Sequence, residues 1–140
     1  MTNVPTRPDP VVTSDTQFFW EGVEQGKLLA QQCQECKAFR HPPRAMCPGC
    51  NSLQWDAVPL SGKGEVYSWL LPRHPLVPDF ESPLIVALID LEEGIRLLSN
   101  VIGISPDDLD NGQAVEVCYA PTKGGKAVPV FKPVARGAQS

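Results

Sequence analysis

The sequence is poor in the features that mark catalytic, membrane-spanning or nucleic-acid-binding proteins. Histidine occurs only twice in 140 residues, and neither His41 nor His74 lies in a motif with a nucleophile. No apolar run approaches the roughly 20 residues that cross a bilayer as a helix. Acidic residues outnumber basic ones by 16 to 12, so the chain lacks the basic excess that nucleic-acid phosphates require. We therefore expect no catalytic residue, no membrane span and no nucleic-acid partner.

The amino terminus also lacks an apolar stretch. Residues 1–5 are Met-Thr-Asn-Val-Pro, which is unlike the start of a secretory leader. We expect a cytoplasmic protein, and disulfides are rare in that reducing compartment.

What the chain does contain is four cysteines arranged as two C-x-x-C pairs. Cys33 pairs with Cys36, and Cys47 pairs with Cys50. Each pair can place two thiolates on one tight turn, and two facing turns give the sulfur tetrahedron that zinc prefers. We predict one closed, structural Zn2+ site. The alternatives are disulfides, which the compartment disfavours, and a rubredoxin-like iron cage for electron transfer, which metal analysis would distinguish.

Fifteen prolines exclude a mainly helical fold, and the sequence predicts one helix near the amino terminus. Ser14 and Gln17 match a capping box that begins the helix, and Gly26 is the predicted stop at its C-terminal end. Three consecutive aromatic residues are more than one helix face can hide, so at least one ring should contact the ribbon, the second domain or another chain. These predicted interface residues are Phe18, Phe19 and Trp20.

The remaining pattern is mostly β. Residues 27–32 and 54–60 are typical of ribbon strands, with Trp55 expected over the metal, and a Gly-Lys-Gly break lies at residues 62–64. After the break come strands at residues 65–71, 84–91, 95–104, 114–119 and 128–132. A short helix capped by Ser105 separates the third strand from the fourth. This is the order of the five-stranded OB barrel, in which that helix plugs the barrel.

Two details of the predicted barrel concern its surfaces. The strand at residues 84–91 is apolar on both faces, which predicts that the N-terminal helix or a partner subunit covers its outer side. Cys118 lies within a strand with no evident base, so we expect a half-buried thiol that acts as a small hydrophobe.

The predicted fold is therefore mainly β, with an N-terminal helix, a rubredoxin-like zinc ribbon and a five-stranded OB-fold barrel. The predicted boundaries are a flexible tail at 1–13, the helix and ribbon at 14–60, the barrel at 61–134 and a second tail at 135–140.

The order of these motifs resembles a known family. A helix ending in Phe-Trp-Glu-Gly, two C-x-x-C knuckles around His-Pro-Pro-Arg, and a Ser-Gly-Lys-Gly segment before five strands are similar to acyl-CoA-associated proteins long catalogued as a domain of unknown function. The similarity covers roughly residues 15–134.

The resemblance implies a non-catalytic subunit that binds a thiolase-superfamily enzyme. Such partners include thiolases, hydroxymethylglutaryl-CoA synthases and aldolases of steroid side-chain breakdown, and other members accompany hot-dog-fold enoyl-CoA hydratases. The partner carries the chemistry, while the small subunit completes the complex and supports acyl-CoA binding.

Four basic residues are the predicted contacts to CoA phosphates or to the partner: Arg73, His74, Lys123 and Lys126. A solvated loop is the alternative for Arg73 and His74. A flexible hairpin tip is the alternative for residues 122–126, where backbone amides as well as the lysines suit a phosphate. A nucleic-acid-binding zinc-ribbon and OB module is the alternative from another functional class, although the acidic charge opposes it.

Overall fold

The computed structural model describes residues 7–72 and 84–134, and these form the predicted mainly β fold. Helix α1 (Gln17–Glu24) precedes a three-stranded ribbon sheet. The ribbon strands are β1 (Leu29–Cys33), β2 (Phe39–Arg40) and β3 (Trp55–Pro59). The barrel strands are β4 (Lys63–Leu70), β5 (Ile85–Leu91), β6 (Arg96–Val101), β7 (Ala114–Pro121) and β8 (Ala127–Pro133). Over the described ranges, no helix is both long enough and apolar enough to traverse a lipid bilayer.

The start of α1 differs from the predicted capping box. Thr16, not Ser14, is the N-cap residue, and no side chain caps the helix. The Thr16 hydroxyl instead accepts a hydrogen bond from the Thr13 backbone N–H at 2.9 Å. The Gln17 side chain donates forward to Glu21 at 2.8 Å rather than reaching back. The capping-box prediction is wrong because these local polar partners compete for the same groups.

Helix α1 ends at Glu24, just before Gly26, as the position of this glycine predicts. Gly26 has a φ of 75°, in the left-handed region. The Gly26 N–H donates to the Val23 carbonyl at 2.9 Å, and the Lys27 N–H donates to the Gly22 carbonyl at 2.8 Å. This pair of bonds is the Schellman motif, which turns the chain from α1 into the ribbon.

The barrel closes in the order β4-β5-β6-β8-β7, with β7 pairing back to β4. β6 and β8 form the parallel pair, at Val101 and Phe131. This is the OB order that the sequence predicts. Along β5, burial alternates at every residue, as expected for a strand with one face in the core.

The predicted plug helix is a single 3-10 turn, Pro106–Asp108, between β6 and β7. Ser105 caps it as predicted, accepting from the Asp107 N–H at 3.3 Å. None of the three helical residues is buried, whereas Leu109, which follows them, is 4% exposed and belongs to the core. A single side chain therefore enters the core where the sequence predicts a helix.

The outer side of β5 is only partly covered. α1 packs on β1 and β8, and Val86 and Leu88 on the outer side of β5 remain half-buried. Their cross-strand neighbours Leu70 and Leu98 are 57% and 65% exposed. These four residues are the outer barrel face. The sequence predicts that either the N-terminal helix or a partner subunit covers this side of β5, and the helix packs on β1 and β8 instead.

The Gly-Lys-Gly segment is part of the barrel rather than a break before it. Lys63 and Gly64 begin β4, and Gly64 pairs with β5 on one side and with β7 on the other. A Cβ atom at Gly64 would collide with the backbone carbonyl of Asp90 in β5. Glycine is required there because two backbones approach closely at the seam of the barrel.

Candidate metal centre and its surroundings

The fold brings the four predicted ligands together. Their sulfur atoms all lie within 4.8 Å of one another. The Sγ atoms of Cys33 and Cys50 are 3.5 Å apart, and those of Cys36 and Cys47 are 3.6 Å apart. A disulfide would need about 2.05 Å, whereas a zinc tetrahedron with bonds of about 2.3 Å separates its sulfurs by roughly 3.8 Å. The spacing fits a tetrathiolate metal site.

The protein environment favours thiolates at the buried positions. The backbone N–H of Cys36 is the main cause that lowers the pKa of Cys33 to about 6, and the backbone of Cys50 lowers the pKa of Cys47. At Cys50 the Ser52 amide also acts to lower the pKa, but the neighbouring thiols and burial outweigh it and raise that pKa to about 12. Because adjacent negative charges oppose one another, the full set of thiolates requires a cation between them.

A buried polar cluster holds the loop that joins the two knuckles. Gln31 in β1 is 2% exposed, and its side-chain oxygen accepts from the Arg44 N–H at 2.7 Å and from Arg40 Nε at 3.0 Å. Its side-chain nitrogen donates to the Arg44 carbonyl at 2.9 Å. The cluster fixes the loop to β1 in the arrangement in which the two cysteine pairs face each other.

The three consecutive aromatic residues pack mainly within the chain. The Phe18 ring lies 4.8 Å from Trp55 on the ribbon. Phe19 is 6% exposed, and its ring meets Trp20 edge to face at 4.9 Å. Phe18 and Trp20 are half-buried, so each retains exposed ring surface. The aromatic side chains of α1 thus pack between the ribbon and the barrel.

Of the four predicted CoA or partner contacts, Lys123 and Lys126 lie within the described residues. Arg73 and His74 lie outside the described residues. Lys126 pairs with Glu24 of α1 at 3.0 Å, with both side chains about half exposed. Lys123 lies at the turn between β7 and β8, where the sequence predicts a flexible tip.

That turn binds a carboxylate from the other end of the chain. The Asp9 side chain accepts hydrogen bonds from the Thr122 hydroxyl at 2.5 Å and from the Gly124 N–H at 2.9 Å. The Thr122 hydrogen bond, helped by the Gly124 amide and by Lys123 and Lys126, lowers the pKa of Asp9. The backbone amide proposed for a phosphate is therefore occupied by an acid of the protein itself.

Arg7 completes a strap, residues 7–10, which lies on the barrel although it belongs to the predicted flexible tail. The Arg7 side chain is buried, and its Nη1 donates to Oδ1 of Asn100 in β6 at 2.9 Å. The Arg7 carbonyl accepts from the Lys123 N–H at 2.9 Å. Sequence patterns miss these contacts because they join residues about a hundred positions apart.

Cys118, the fifth cysteine, is half-buried in β7. Burial raises the pKa of its thiol. A thiol with a raised pKa is a poor nucleophile at neutral pH, so Cys118 serves as a packing residue.

His41 lies in the loop after β2, where its ring is 5.7 Å from that of Phe19. Burial lowers the pKa of this imidazole, so the folded chain holds the ring neutral. The unfolded chain takes up the proton more readily, and stability is therefore full above about pH 6.5 and decreases as the pH falls below it.

His41→Phe keeps an aromatic ring and is expected to remove this part of the pH dependence. The slope that disappears is at most about 1.4 kcal/mol per pH unit, the limit for one proton. Urea unfolding between pH 5 and pH 7.5 measures it, with His74→Ala as the matched histidine control. An unchanged slope in His41→Phe would contradict a half-buried ring that the fold keeps neutral.

Comparisons with known proteins agree with this architecture. The family model described as "ChsH2, rubredoxin-like zinc ribbon domain" matches residues 20–56, and "ChsH2, C-terminal OB-fold domain" matches residues 57–120. The zinc ribbon match and the sulfur quartet together support one structural zinc.

Three similar proteins are an enzyme subunit, a scaffold protein and a chain of a solved aldolase. A "Probable enoyl-CoA hydratase alpha subunit" of Thermomonospora curvata is 42% identical over 127 residues, which are 91% of this chain but 40% of that protein. A "DUF35 domain-containing scaffold protein" of Methanocaldococcus jannaschii is 34% identical over 95 residues, 66% of this chain and 67% of that protein.

The third is a solved structure, "Ltp2-ChsH2(DUF35) aldolase". Its matched chain is 40% identical and superposes with a TM-score of 0.85, and the match covers 91% of this chain and all of that one. A ribbon, a barrel and their sequences thus match along nearly the whole chain, and the protein belongs to the DUF35 family of ChsH2-type zinc ribbon and OB-fold proteins.

Proposed function

We propose that this chain is a non-catalytic accessory subunit that binds a thiolase-superfamily enzyme, an acyl-CoA aldolase or thiolase, and supports its acyl-CoA binding and stability. The observation that carries the proposal is the similarity to the DUF35 chain of an aldolase, which is matched over its full length. In such a subunit the metal has a structural role, because a tetrathiolate leaves no open position for substrate.

A thiolase-superfamily enzyme is the first candidate partner because the chain matched in the solved aldolase is 40% identical and superposes with a TM-score of 0.85. The similarity to a hydratase alpha subunit, which covers 40% of that protein, gives the second candidate. We therefore retain the hot-dog-fold hydratase as the second candidate partner.

The outer barrel face is the proposed contact with the partner. Leu98 at 65% and Leu70 at 57% exposed flank Val86 and Leu88, which gives a continuous apolar surface on neighbouring strands. Apolar patches of this kind are typical of protein interfaces. The exposed ring edges of Phe18 and Trp20 are a second, smaller contact in the proposal.

The proposal includes contacts between this chain and the phosphates of acyl-CoA. Lys123 at the β7–β8 turn is the described cation that we propose for a CoA phosphate, with Arg73 and His74 as further contacts. Lys126 is a weaker choice because Glu24 already neutralises it. Titration of CoA into the complex, with Lys123→Ala as the variant, measures this contribution.

Co-expression tests the partner. The zinc-loaded chain is co-expressed with thiolase-superfamily enzymes of the source organism and, in parallel, with hot-dog-fold enoyl-CoA hydratases, and complexes are measured by size-exclusion chromatography with light scattering. We expect a stable complex with a thiolase-superfamily enzyme. A complex with a hydratase alone would favour the second candidate, and a chain that binds neither class contradicts the proposal.

Leu98→Glu is the interface variant, and Val11→Glu is its control. Val11 is 83% exposed and lies outside the outer barrel face, so both substitutions add one charge at an exposed apolar site. A charge within a buried interface core typically costs more than about 1.4 kcal/mol, so we expect Leu98→Glu to weaken the complex about tenfold or more. Equal effects of the two variants would place the interface elsewhere.

A further inference from the structure

The turn between β7 and β8 holds a threonine hydroxyl in one fixed orientation. The Thr122 N–H donates to the Lys126 carbonyl at 2.9 Å, and the Gly125 N–H donates to the Thr122 carbonyl at 3.1 Å, so the turn is closed by its own backbone. Thr122 is 2% exposed, and its hydroxyl accepts from the Lys126 N–H at 3.0 Å. Because this bond occupies an acceptor site, the single hydroxyl proton is directed to a group outside the turn.

Three donors of this turn contact the strap. The Thr122 hydroxyl and the Gly124 N–H both donate to Oδ1 of Asp9, at 2.5 Å and 2.9 Å. The Lys123 N–H donates to the Arg7 carbonyl at 2.9 Å. Successive backbone N–H groups on a turn, here those of residues 123 and 124, are typical of anion-binding sites. The turn therefore has the donors of an anion site, and an acid of the same chain occupies them.

The site suits an anion in both charge and space. Lys123 and Lys126 lie close enough to Asp9 to contribute to the lowered pKa of its carboxyl group. A Cβ atom at Gly124 would collide with the Asp9 carboxylate, so the missing side chain is what lets an acidic group reach the backbone. A second anion that uses these donors must take the place of Asp9.

The contact between strap and turn is open to exchange. Asp9 is exposed, so a dissolved anion can reach the same donors. The carboxylate is tethered to the barrel, and a tethered group competes at an effective concentration on the order of millimolar. Asp9 uses one oxygen for both of its hydrogen bonds, whereas a phosphate group offers three acceptor oxygens and more negative charge. A phosphate is therefore the stronger ligand for the turn, but it has to displace the strap.

We propose that Asp9 is an internal competitor for a phosphate site at the β7–β8 turn, so that the site is open only when the strap detaches. The inference rests on the proposed function for its ligand, a CoA phosphate near Lys123, and it adds a regulatory step to that contact. Docking of the strap and binding of the phosphate exclude each other, because both use the Thr122 hydroxyl and the Gly124 N–H.

Titration of the full zinc-loaded chain with pyrophosphate, at constant ionic strength, tests the competition. Asp9→Ala removes the competitor, and Asp15→Ala is the control that removes one negative charge from an exposed site outside the strap. Apparent affinity falls with the fraction of chains whose site is open, so a strap docked for about nine-tenths of the time weakens binding about tenfold. We expect Asp9→Ala to bind pyrophosphate about tenfold more tightly than Asp15→Ala, with NMR shifts at the amides of Lys123 and Gly124.

Two substitutions added to the Asp9→Ala chain locate the site. Thr122→Val removes the hydroxyl donor at similar volume, and Gly124→Ala places a methyl group where the carboxylate lies. Each should cancel the gain in affinity, with unchanged zinc content as the check that the chain is folded.

Equal affinities of Asp9→Ala and Asp15→Ala, absence of pyrophosphate binding in Asp9→Ala, or a gain that survives both added substitutions would each overturn the proposal. The titration uses this chain alone, so its failure leaves the proposed partner in place. A failed co-expression would remove the partner and leave the result for Asp9 unchanged.

Discussion

Replacing Cys33 with alanine is expected to abolish stoichiometric zinc binding and to unfold the ribbon. Cys33 is 0% exposed at the end of β1, and its sulfur faces that of Cys50 at 3.5 Å. The ribbon has a short sheet whose middle strand pairs with only two residues of β2. Structural zinc contributes about 10 to 16 kcal/mol to the folding of zinc-finger peptides, so the loss of one ligand should remove several kcal/mol here.

Two measurements follow the effect of Cys33→Ala. Metal analysis should give about one zinc per chain before the substitution and almost none after it, once free metal is removed. Hydrogen exchange should show lost protection in β1, β2 and β3, while the barrel strands retain theirs because most of the buried core side chains belong to the barrel.

Cys118→Ala is the matched control, because it also removes one thiol but lies in β7. It should retain one zinc per chain. Full zinc content in Cys33→Ala, or one iron per chain in place of zinc in the parent protein, would contradict the structural zinc site.

The metal ligands could be predicted from the sequence because the information is local. Within each C-x-x-C pair the two cysteines are three residues apart, and the turn geometry alone brings their sulfurs together. The barrel order was also predictable, since the sequence of strands around one capped turn allows few topologies. Both predictions depend on short-range patterns that tertiary contacts do not change.

The strap could not be predicted, because its contacts leave no periodic signal. Asp9 and Thr122 are 113 positions apart, and Arg7 and Asn100 are 93 positions apart. A proline-rich polar segment has the composition of a disordered tail whether or not a few polar side chains hold it in place. The same limitation applies to Lys126, whose partner Glu24 lies on a distant helix.

His41 illustrates how burial gives a residue a role that its sequence neighbours do not indicate. From the sequence, a histidine between an arginine and two prolines is most simply a surface residue of the ribbon. In the fold, the Gln31 cluster anchors the loop at Arg44, and α1 brings Phe19 against the imidazole. Its environment is therefore produced by the junction of ribbon, helix and barrel.

Phe131→Ala is expected to cause the largest loss of barrel stability, about 3 to 5 kcal/mol, which is typical of a fully buried phenylalanine. Phe131 is 0% exposed and links two neighbouring strands of the closed barrel. It pairs with Val117 of β7 on one side and with Val101 of the parallel strand β6 on the other. Its carbonyl also accepts from the Ile102 N–H at 2.8 Å. The substitution would leave a cavity where two sheet edges join, and the backbone pairing on both sides limits how far the site can collapse.

Urea unfolding in zinc-saturated buffer measures this loss with the ribbon held constant. Phe131→Leu retains most of the apolar volume and should cost less than about 1.5 kcal/mol, so the difference between the two variants isolates the cavity. If Phe131→Ala cost no more than Phe131→Leu, the closure would depend on the backbone ladder alone. If the larger loss occurs, destabilisation of the barrel should also weaken zinc retention in Phe131→Ala, because α1 packs on both β8 and β1 and so joins the barrel to the ribbon.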